Sequence, residues 1–142
     1  MGTIVSGMPQ EFAAYIAGHW THTADRRELR APFDGSHFAT VHLCGPAELE
    51  DAIAAGVRAA PAAAALSSYE RASILRAVAA GVRARREELA LGMCYESGKP
   101  IGDAFAEVDR AEHCFEIAAA ETERIYGEVI PLDLRPASAG RW

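Results

Sequence analysis

The segment between residues 67 and 100 constrains the fold of this chain most strongly, because both of its ends carry helix-boundary signals. Ser67 stands three residues before Glu70, the spacing of a capping box, in which each side chain binds the other residue's backbone amide. At the far end, Gly98 can adopt the left-handed conformation that follows a helix, and Pro100 cannot continue that helix but can begin another. The segment is therefore predicted to be helical and to meet a second helical segment at residues 97–100.

Apolar residues spaced by three or four predict a long helical stretch on each side of this junction. The stretch before it is expected to break near Arg85. Its inward positions are Ile74, Leu75, Val78 and Val82, followed by Leu89, Leu91, Met93 and Tyr95. The helix after the junction is predicted to begin near Gly102 and Asp103, a candidate cap, and to end at Gly127. Its apolar stripe comprises Phe105, Val108, Ala111, Phe115, Ala118, Thr122 and Ile125.

An earlier helix is predicted to begin at residues 45–46 and to be closed by Pro61. Within it, Leu49, Ile53 and Val57 are spaced by four and form an apolar stripe typical of a core-facing helix. Residues 62–66 are small and apolar, and we expect them to connect this helix to the next.

Two antiparallel β-hairpins are predicted over residues 15–43, before the helices at residues 46–127. The first pairs residues 15–16 with 19–20, and the second pairs 28–33 with 38–43 across a turn at 34–36. Residues 38–43 alternate with period two, as in a half-buried strand. We expect no fixed structure over residues 1–14 and an extended or loop structure over residues 128–142. Because no buried parallel strands accompany the helices, this inventory indicates a fragment of a larger domain.

Composition excludes several classes of function. The chain has 14 basic and 20 acidic residues, which argues against nucleic acid as its main partner. Arg83, Arg85 and Arg86 are followed at once by Glu87 and Glu88, so they are predicted to form a solvated helix face. Three cysteines without a CxxC pair favour a reducing cytoplasm over a disulfide framework. No run of the sequence is apolar enough to span a membrane or to serve as a signal peptide.

Four residues with metal-ligating side chains lie near the hairpins, namely His19, His22, His42 and Cys44. They could be imagined around zinc, but closed zinc sites normally show four ligands at recognisable spacings, and no second ligand pair is visible. No metal site is therefore predicted.

The remaining candidates for catalysis are the cysteines and one glutamate. Cys44, Cys94 and Cys114 could each act as a nucleophile, but Cys94 and Cys114 sit on or beside apolar stripes, which favours a small buried residue. His113 and Cys114 are neighbours and point apart on a helix, so adjacency does not make them a dyad. Glu96 lies at a helix end and is predicted to be solvated. No catalytic and no cofactor-binding residue is predicted.

Short motifs in a fixed order resemble the aldehyde dehydrogenase family. They are YIAGHW at 15–20, APFDGS at 31–36, ATV at 39–41, DAIAA at 51–55, RASIL at 71–75, REELA at 86–90, ESGKP at 96–100 and GEVIP at 127–131. The first three resemble the family's two opening hairpins, the next four resemble its first helices, and the last fits the segment after the long helix. Each motif is weak alone, but their common order makes the resemblance specific, and it extends from residue 15 to about residue 131.

The resemblance implies an α/β family fold in which residues 1–142 form an incomplete N-terminal part of the NAD(P)-binding domain. This part is mostly α-helical, carries two N-terminal antiparallel β-hairpins and lacks the parallel Rossmann-like sheet. The family's functional motifs come later in the chain: the oxyanion asparagine, the phosphate-binding turn, the glutamate of an ELGG motif and the nucleophilic cysteine after Gly-Gln. None of Cys44, Cys94 and Cys114 follows such a pair, so no functional residue is transferred.

The function that the resemblance implies belongs to a longer enzyme, which oxidises an aldehyde to a carboxylic acid with NAD or NADP through a cysteine thiohemiacetal. This chain alone is expected neither to catalyse nor to bind the cofactor. Its implied partner is the rest of the enzyme chain, and a homo-oligomer is implied only for the full enzyme. The alternative is a stand-alone helical interaction module derived from such an enzyme. A metal- or redox-sensing domain built on the cysteines and histidines is the third hypothesis.

Overall fold

Short strands precede long helices in the computed structural model, which describes residues 11–141. The strands are β1 (Glu11–Phe12), β2 (Ala14–Ile16), β3 (His19–Thr21), β4 (Arg26–Arg30) and β5 (His37–His42). The helices are α1 (Pro46–Ala65), α2 (Ser68–Ala84), α3 (Arg86–Ser97) and α4 (Ile101–Thr122), and a single 3-10 turn follows at Pro136–Ser138. The expectation of no fixed structure over residues 1–10 lies outside the described residues. None of the helices within residues 11–141 is long and apolar enough to cross a membrane.

Both predicted hairpins are present, with small differences in their ends. Strands β2 and β3 pair antiparallel, and the turn between them has positive φ at Ala17 (53°) and Gly18 (87°), as a tight primed turn requires. Strands β4 and β5 also pair antiparallel, but β4 begins at Arg26 and ends at Arg30. Pro32 therefore lies in the turn and not in an edge strand, where its missing amide would leave a gap in the hydrogen-bond ladder.

Strand β1 was not predicted, since residues 1–14 were expected to have no fixed structure. Glu11 and Phe12 pair parallel to β5, opposite Thr40 and Val41, so the three-stranded sheet has the order β1-β5-β4. The pairing partner is about thirty residues away in sequence, and two residues are too few to show a strand period. The antiparallel description of the hairpins holds, but the sheet that contains β5 is mixed.

Helix α1 differs from its prediction at its C-terminal end and in its burial. Pro61 lies inside the helix and does not close it, and the predicted connector from residue 62 is helical as far as Ala65. Proline removes one backbone donor, whereas the four alanines that follow have the highest helix propensity. The predicted core-facing stripe is solvent-exposed: Leu49, Ile53 and Val57 are 59%, 51% and 68% exposed.

The boundaries around α2 and α3 follow the predicted signals. The amide of Glu70 donates to Ser67 Oγ at 3.2 Å, and the amide of Ser67 donates to Glu70 Oε2 at 2.8 Å, which completes the capping box. Arg85 separates α2 from α3, as predicted. Gly98 adopts φ 71° after α3, and Pro100 is the residue that precedes α4.

Helix α4 ends earlier than predicted and begins slightly earlier. It ends at Thr122 and not at Gly127, and Ile125, the last residue of the predicted stripe, is 72% exposed. Most of the stability of a helix in a protein comes from packing of its apolar face. Because Ile125 is exposed, the apolar stripe beyond residue 122 does not stabilise a longer helix. Asp103 lies in the first turn and makes no side-chain cap hydrogen bond.

The core lies between α3 and α4, with α2 packed along α4. Ala90, Ala104 and Val108 are buried, and partly buried side chains pack around them: Val82, Leu89, Met93, Cys94 and Phe105. Ala72 and Ala79 of α2 are also buried, so small side chains let α2 approach α4 closely. Two other predicted inward positions are exposed, Ile74 at 53% and Val78 at 39%.

Ion pairs join α4 to the two helices before it. Arg83 bonds both Glu112 and Glu116, and Arg86 Nη2 donates to Asp109 Oδ2 at 2.8 Å. The basic residues that were predicted to form a solvated face therefore partly make contacts between helices. Of the three arginines, Arg85 is the one that pairs locally, with Glu88 three residues later. The neighbouring sequence supplies the partner of Arg85, whereas antiparallel packing on α4 supplies the carboxylates that Arg83 and Arg86 bind.

Candidate functional site

Three side chains with metal-ligating atoms meet where the two small sheets approach each other. Glu11 comes from β1, His42 ends β5 and His22 follows β3. His42 Nε2 lies 2.8 Å from Glu11 Oε1 and 3.2 Å from His22 Nδ1. All three ligand atoms lie within 4.8 Å of one another. We call this group the Glu–His–His cluster.

The backbone register explains why Glu11 and His42 share one face. Glu11 is opposite Thr40 in the parallel pair of β1 and β5. His42 is two residues beyond Thr40, and side chains two residues apart point to the same face of a strand. The sheet register therefore places these two members of the cluster side by side.

The imidazole of His42 is the fixed member of the cluster. Its side chain is fully buried, and Nδ1 lies 2.7 Å from the backbone N of Thr23 and 2.9 Å from the backbone O of Thr23. Thr23 is itself tied to the strand end, because its hydroxyl donates to the carbonyl of Leu43 at 2.9 Å. Backbone groups therefore hold the ring so that Nε2 faces Glu11 and His22.

The carboxylate of Glu11 is stabilised in its charged form. The hydrogen bond from His42, with a smaller contribution from the nearby Arg26 guanidinium, lowers the pKa of Glu11 below its ordinary value. Arg26 Nη1 lies 3.1 Å from Glu11 Oε1, and its side chain is half-exposed. Glu11 is thus an anionic side chain at neutral pH, with the Arg26 guanidinium beside it.

The cluster shares only two residues with the four that the sequence suggested. His22 and His42 are brought together, whereas His19 and Cys44 are not part of the group. Glu11 was missed because it lies 31 residues before His42, with no spacing signal between them. Only its parallel pairing with β5 brings it to the histidines.

The cysteines are spread over the structure and are all free thiols. Cys94 is half-buried and packs against the core, as expected for a small apolar residue. Cys114 is exposed, so the expectation that it is a small buried residue is wrong. Cys44 is exposed just before α1.

Glu96 is exposed near the end of α3, as predicted for a solvated residue. It lines the rim of a shallow apolar groove between β5 and α3, with Phe12, Phe38 and Met93 among the other lining residues. His113 is exposed on α4, and its Nδ1 lies 4.0 Å from a carboxylate oxygen of Glu116. The predictions that no catalytic and no cofactor-binding residue is present in this chain stay predictions.

The architecture of mixed sheet, hairpin and α-helical layer is that of a segment of a dehydrogenase. Aldehyde dehydrogenase 21 from Physcomitrella patens, solved with the reaction product succinate, superposes with a TM-score of 0.85 at 37% identity, over 94% of this chain and 28% of that chain. The enzyme PnpE in complex with nicotinamide adenine dinucleotide superposes with a TM-score of 0.82 at 31% identity, over 87% of this chain and 26% of that one.

Sequence comparison gives the family. The model of the aldehyde dehydrogenase family matches residues 20–140, and the chain belongs to this family. The NADP-dependent succinate-semialdehyde dehydrogenase of Escherichia coli is 36% identical over 120 residues, which cover 83% of this chain and 25% of that enzyme. The chain spans about a quarter of the length of the curated relatives it matches. The alternative of a stand-alone interaction module finds no support in these relatives.

Proposed function

We propose that this chain forms the N-terminal part of the NAD(P)-binding domain of an enzyme that oxidises an aldehyde to a carboxylic acid. The observation that carries the proposal is the superposition on a family enzyme over 94% of the chain at 37% identity. In such an enzyme the bound nicotinamide accepts a hydride, and a cysteine thiolate first adds to the aldehyde as a thiohemiacetal. NAD or NADP serves in the complete enzyme.

The proposed role of this chain in the enzyme is structural. The cysteine after Gly-Gln, the ELGG glutamate and the phosphate-binding turn, on which the resemblance places the chemistry, are not present in the sequence. The chain contributes a rigid helical layer, in which α2 and α3 are joined to α4 by a small core and by ion pairs. Alone, it is expected to show neither turnover nor cofactor binding.

The partner of this layer is the rest of the enzyme chain. The exposed apolar stripe of α1 and the exposed Ile125, Val129 and Ile130 after α4 are the surfaces that the parallel sheet and its helices would cover. We further propose a cytoplasmic location and, for the complete enzyme, a homo-oligomer formed by segments outside this chain.

Two experiments test the proposal. In the first, the pure 142-residue chain is assayed for NADH and NADPH formation with succinate semialdehyde and with benzaldehyde, and no formation is expected. Detectable turnover would overturn the claim that the chain is catalytically incomplete.

In the second, the matching 120 residues of the Escherichia coli succinate-semialdehyde dehydrogenase are replaced by those of this chain. The chimera is expected to fold and to reduce NADP with succinate semialdehyde, because the chain supplies the same layer. A matched chimera carrying Ile53→Asp on the exposed stripe is expected to lose activity, since the charge would lie against the covering segment. A chimera that is soluble and of the correct size but inactive, or one that tolerates Ile53→Asp, would contradict the proposed docking.

A further inference from the structure

The Glu–His–His cluster has no role in the dehydrogenase reaction proposed above. We propose that Glu11, His22 and His42 bind a divalent transition metal of the zinc type, which ties the β2–β3 hairpin to the three-stranded sheet. The inference does not rest on the proposed function, since it uses only the contacts of these side chains.

The ligand set and its spacing suit zinc. Imidazole nitrogen and carboxylate oxygen are both ordinary zinc ligands, and two of them bound tetrahedrally at about 2.0–2.1 Å lie about 3.3 Å apart. His42 Nε2 is 3.2 Å from His22 Nδ1 and 2.8 Å from Glu11 Oε1. The two pairs that include His42 are within about 0.5 Å of the tetrahedral spacing, and all three ligand atoms lie within 4.8 Å of one another. Closing the set around one ion falls mostly to Glu11, whose side chain is 46% exposed.

The surroundings of His42 supply the second layer of contacts that metal-bound histidines use. A ligating imidazole commonly donates its other N–H to a backbone carbonyl, which fixes the tautomer. The carbonyl of Thr23 lies 2.9 Å from Nδ1 and can accept that proton. The amide of Thr23 lies 2.7 Å from the same nitrogen, so the ring is held in place in the metal-free tautomer as well, with Nε2–H donating to Glu11. Metal binding at Nε2 therefore moves the ring proton to Nδ1, where it faces the carbonyl of Thr23, at the cost of the hydrogen bond that Nδ1 accepts from the Thr23 amide.

Access and local charge also bear on the site. A cleft lined by Glu11, Phe12, Ala13, Trp20 and His22 opens beside the ligands and leaves room for solvent at a fourth coordination position. Arg26 opposes a bound cation, because its guanidinium lies 3.1 Å from Glu11 Oε1. Its side chain is 54% exposed and can move into solvent when a metal replaces it as the partner of Glu11.

The bound ion would link the β2–β3 hairpin to the three-stranded sheet, with its fourth position open to solvent. His22 follows β3 of the two-stranded sheet, whereas Glu11 and His42 belong to the three-stranded sheet. One bound ion would therefore join the two sheets through side chains alone. Because the three ligands come from different elements, metal binding would stabilise the folded arrangement of those elements.

The test is a zinc titration of the whole 142-residue chain after treatment with a chelator, followed by calorimetry. The wild-type chain is expected to bind one equivalent of zinc. His22→Ala and Glu11→Gln are each expected to weaken binding about tenfold or more, since each removes one of three ligands. His19→Ala and Cys44→Ser are the matched controls, because both side chains lie outside the cluster, and they are expected to bind zinc as the wild type does.

Cobalt in place of zinc gives a second readout, since the visible absorption of bound Co²⁺ reports its ligand geometry. A spectrum that is lost in His22→Ala and kept in His19→Ala and Cys44→Ser is expected. His22 is exposed, so this variant keeps the buried His42 and the fold. Failure of the wild-type chain to bind stoichiometric zinc, or binding by His22→Ala and Glu11→Gln that equals that of the wild type, would overturn the proposal.

Discussion

Phe38 of β5 stacks on Tyr95 of α3, with ring centroids 5.6 Å apart and ring planes only 8° from parallel. Phe38 is buried and Tyr95 is half-buried, so this contact joins the three-stranded sheet to the helical layer. The stack therefore fixes how the hairpin region sits on the α3 surface.

The first prediction follows from this stack. Tyr95→Ala is expected to lower the free energy of unfolding by more than 1 kcal/mol, since a stacked aromatic pair contributes about 0.5–1.5 kcal/mol beyond the area that it buries. Tyr95→Phe keeps the ring and is the control, so the difference between the two variants reports the stack. Equal unfolding curves for both variants in urea would show that the stack does not hold the sheet to the helices.

A second prediction concerns the start of α2. Ser67→Ala is expected to lower the free energy of unfolding by about 1 kcal/mol, because the amide of Glu70 loses its acceptor. Ser68→Ala, one residue later and already within the helix, is the matched control and is expected to change little. Thermal or urea unfolding followed by circular dichroism measures both, and equal losses would argue against the capping box.

A third prediction concerns Pro61 in the interior of α1. Pro61→Ala is expected to raise the stability of the last turns of α1 by about 1–3 kcal/mol, because an amide donor is restored and a steric clash with the preceding turn is removed. Pro46→Ala is the control, since proline at the first helical position costs no hydrogen bond. Amide hydrogen exchange over residues 58–65 should slow in Pro61→Ala alone.

A fourth prediction separates the buried core from the exposed stripe. Val108→Ala is expected to lower the free energy of unfolding by about 2 kcal/mol, through lost burial and a residual cavity. Ile53→Ala, at a position that is 51% exposed, is expected to change it by less than about 0.5 kcal/mol. A large loss in Ile53→Ala would mean that α1 is packed within this chain after all.

The fifth prediction is an acid dependence of stability. The hydrogen bond from Arg86 lowers the pKa of Asp109 in the folded chain. Such a carboxylate stabilises the fold above its unfolded pKa, near 4, and this contribution is lost as the pH falls through the lower folded pKa. Asp109→Asn and Arg86→Gln are each expected to flatten the loss of stability below about pH 4, and the double variant should add nothing further. Unchanged acid unfolding in both single variants would exclude the pair as a cause.

Local signals in the sequence predicted where helices begin and end and where the chain turns. The capping box at Ser67, the left-handed Gly98 and the tight turn at Ala17 are each set by residues within four positions of one another. Their energies come from local hydrogen bonds and from φ preferences, which depend on residue type and not on distant packing. The family resemblance could be recognised for a similar reason, because the order of motifs along the chain does not depend on tertiary contacts.

Only the tertiary structure decided which surfaces are buried and which side chains meet. The stripes of α1 and α4 have the same period, yet Val108 is buried and Ile53 is exposed, because burial depends on which helix lies opposite. Glu11 reaches His42 only through the parallel pairing of β1 with β5, and Arg83 reaches Glu112 only through the antiparallel packing of α2 on α4. The period of a helix or strand determines which of its residues share a face, whereas the element that packs against that face is decided by the assembled fold.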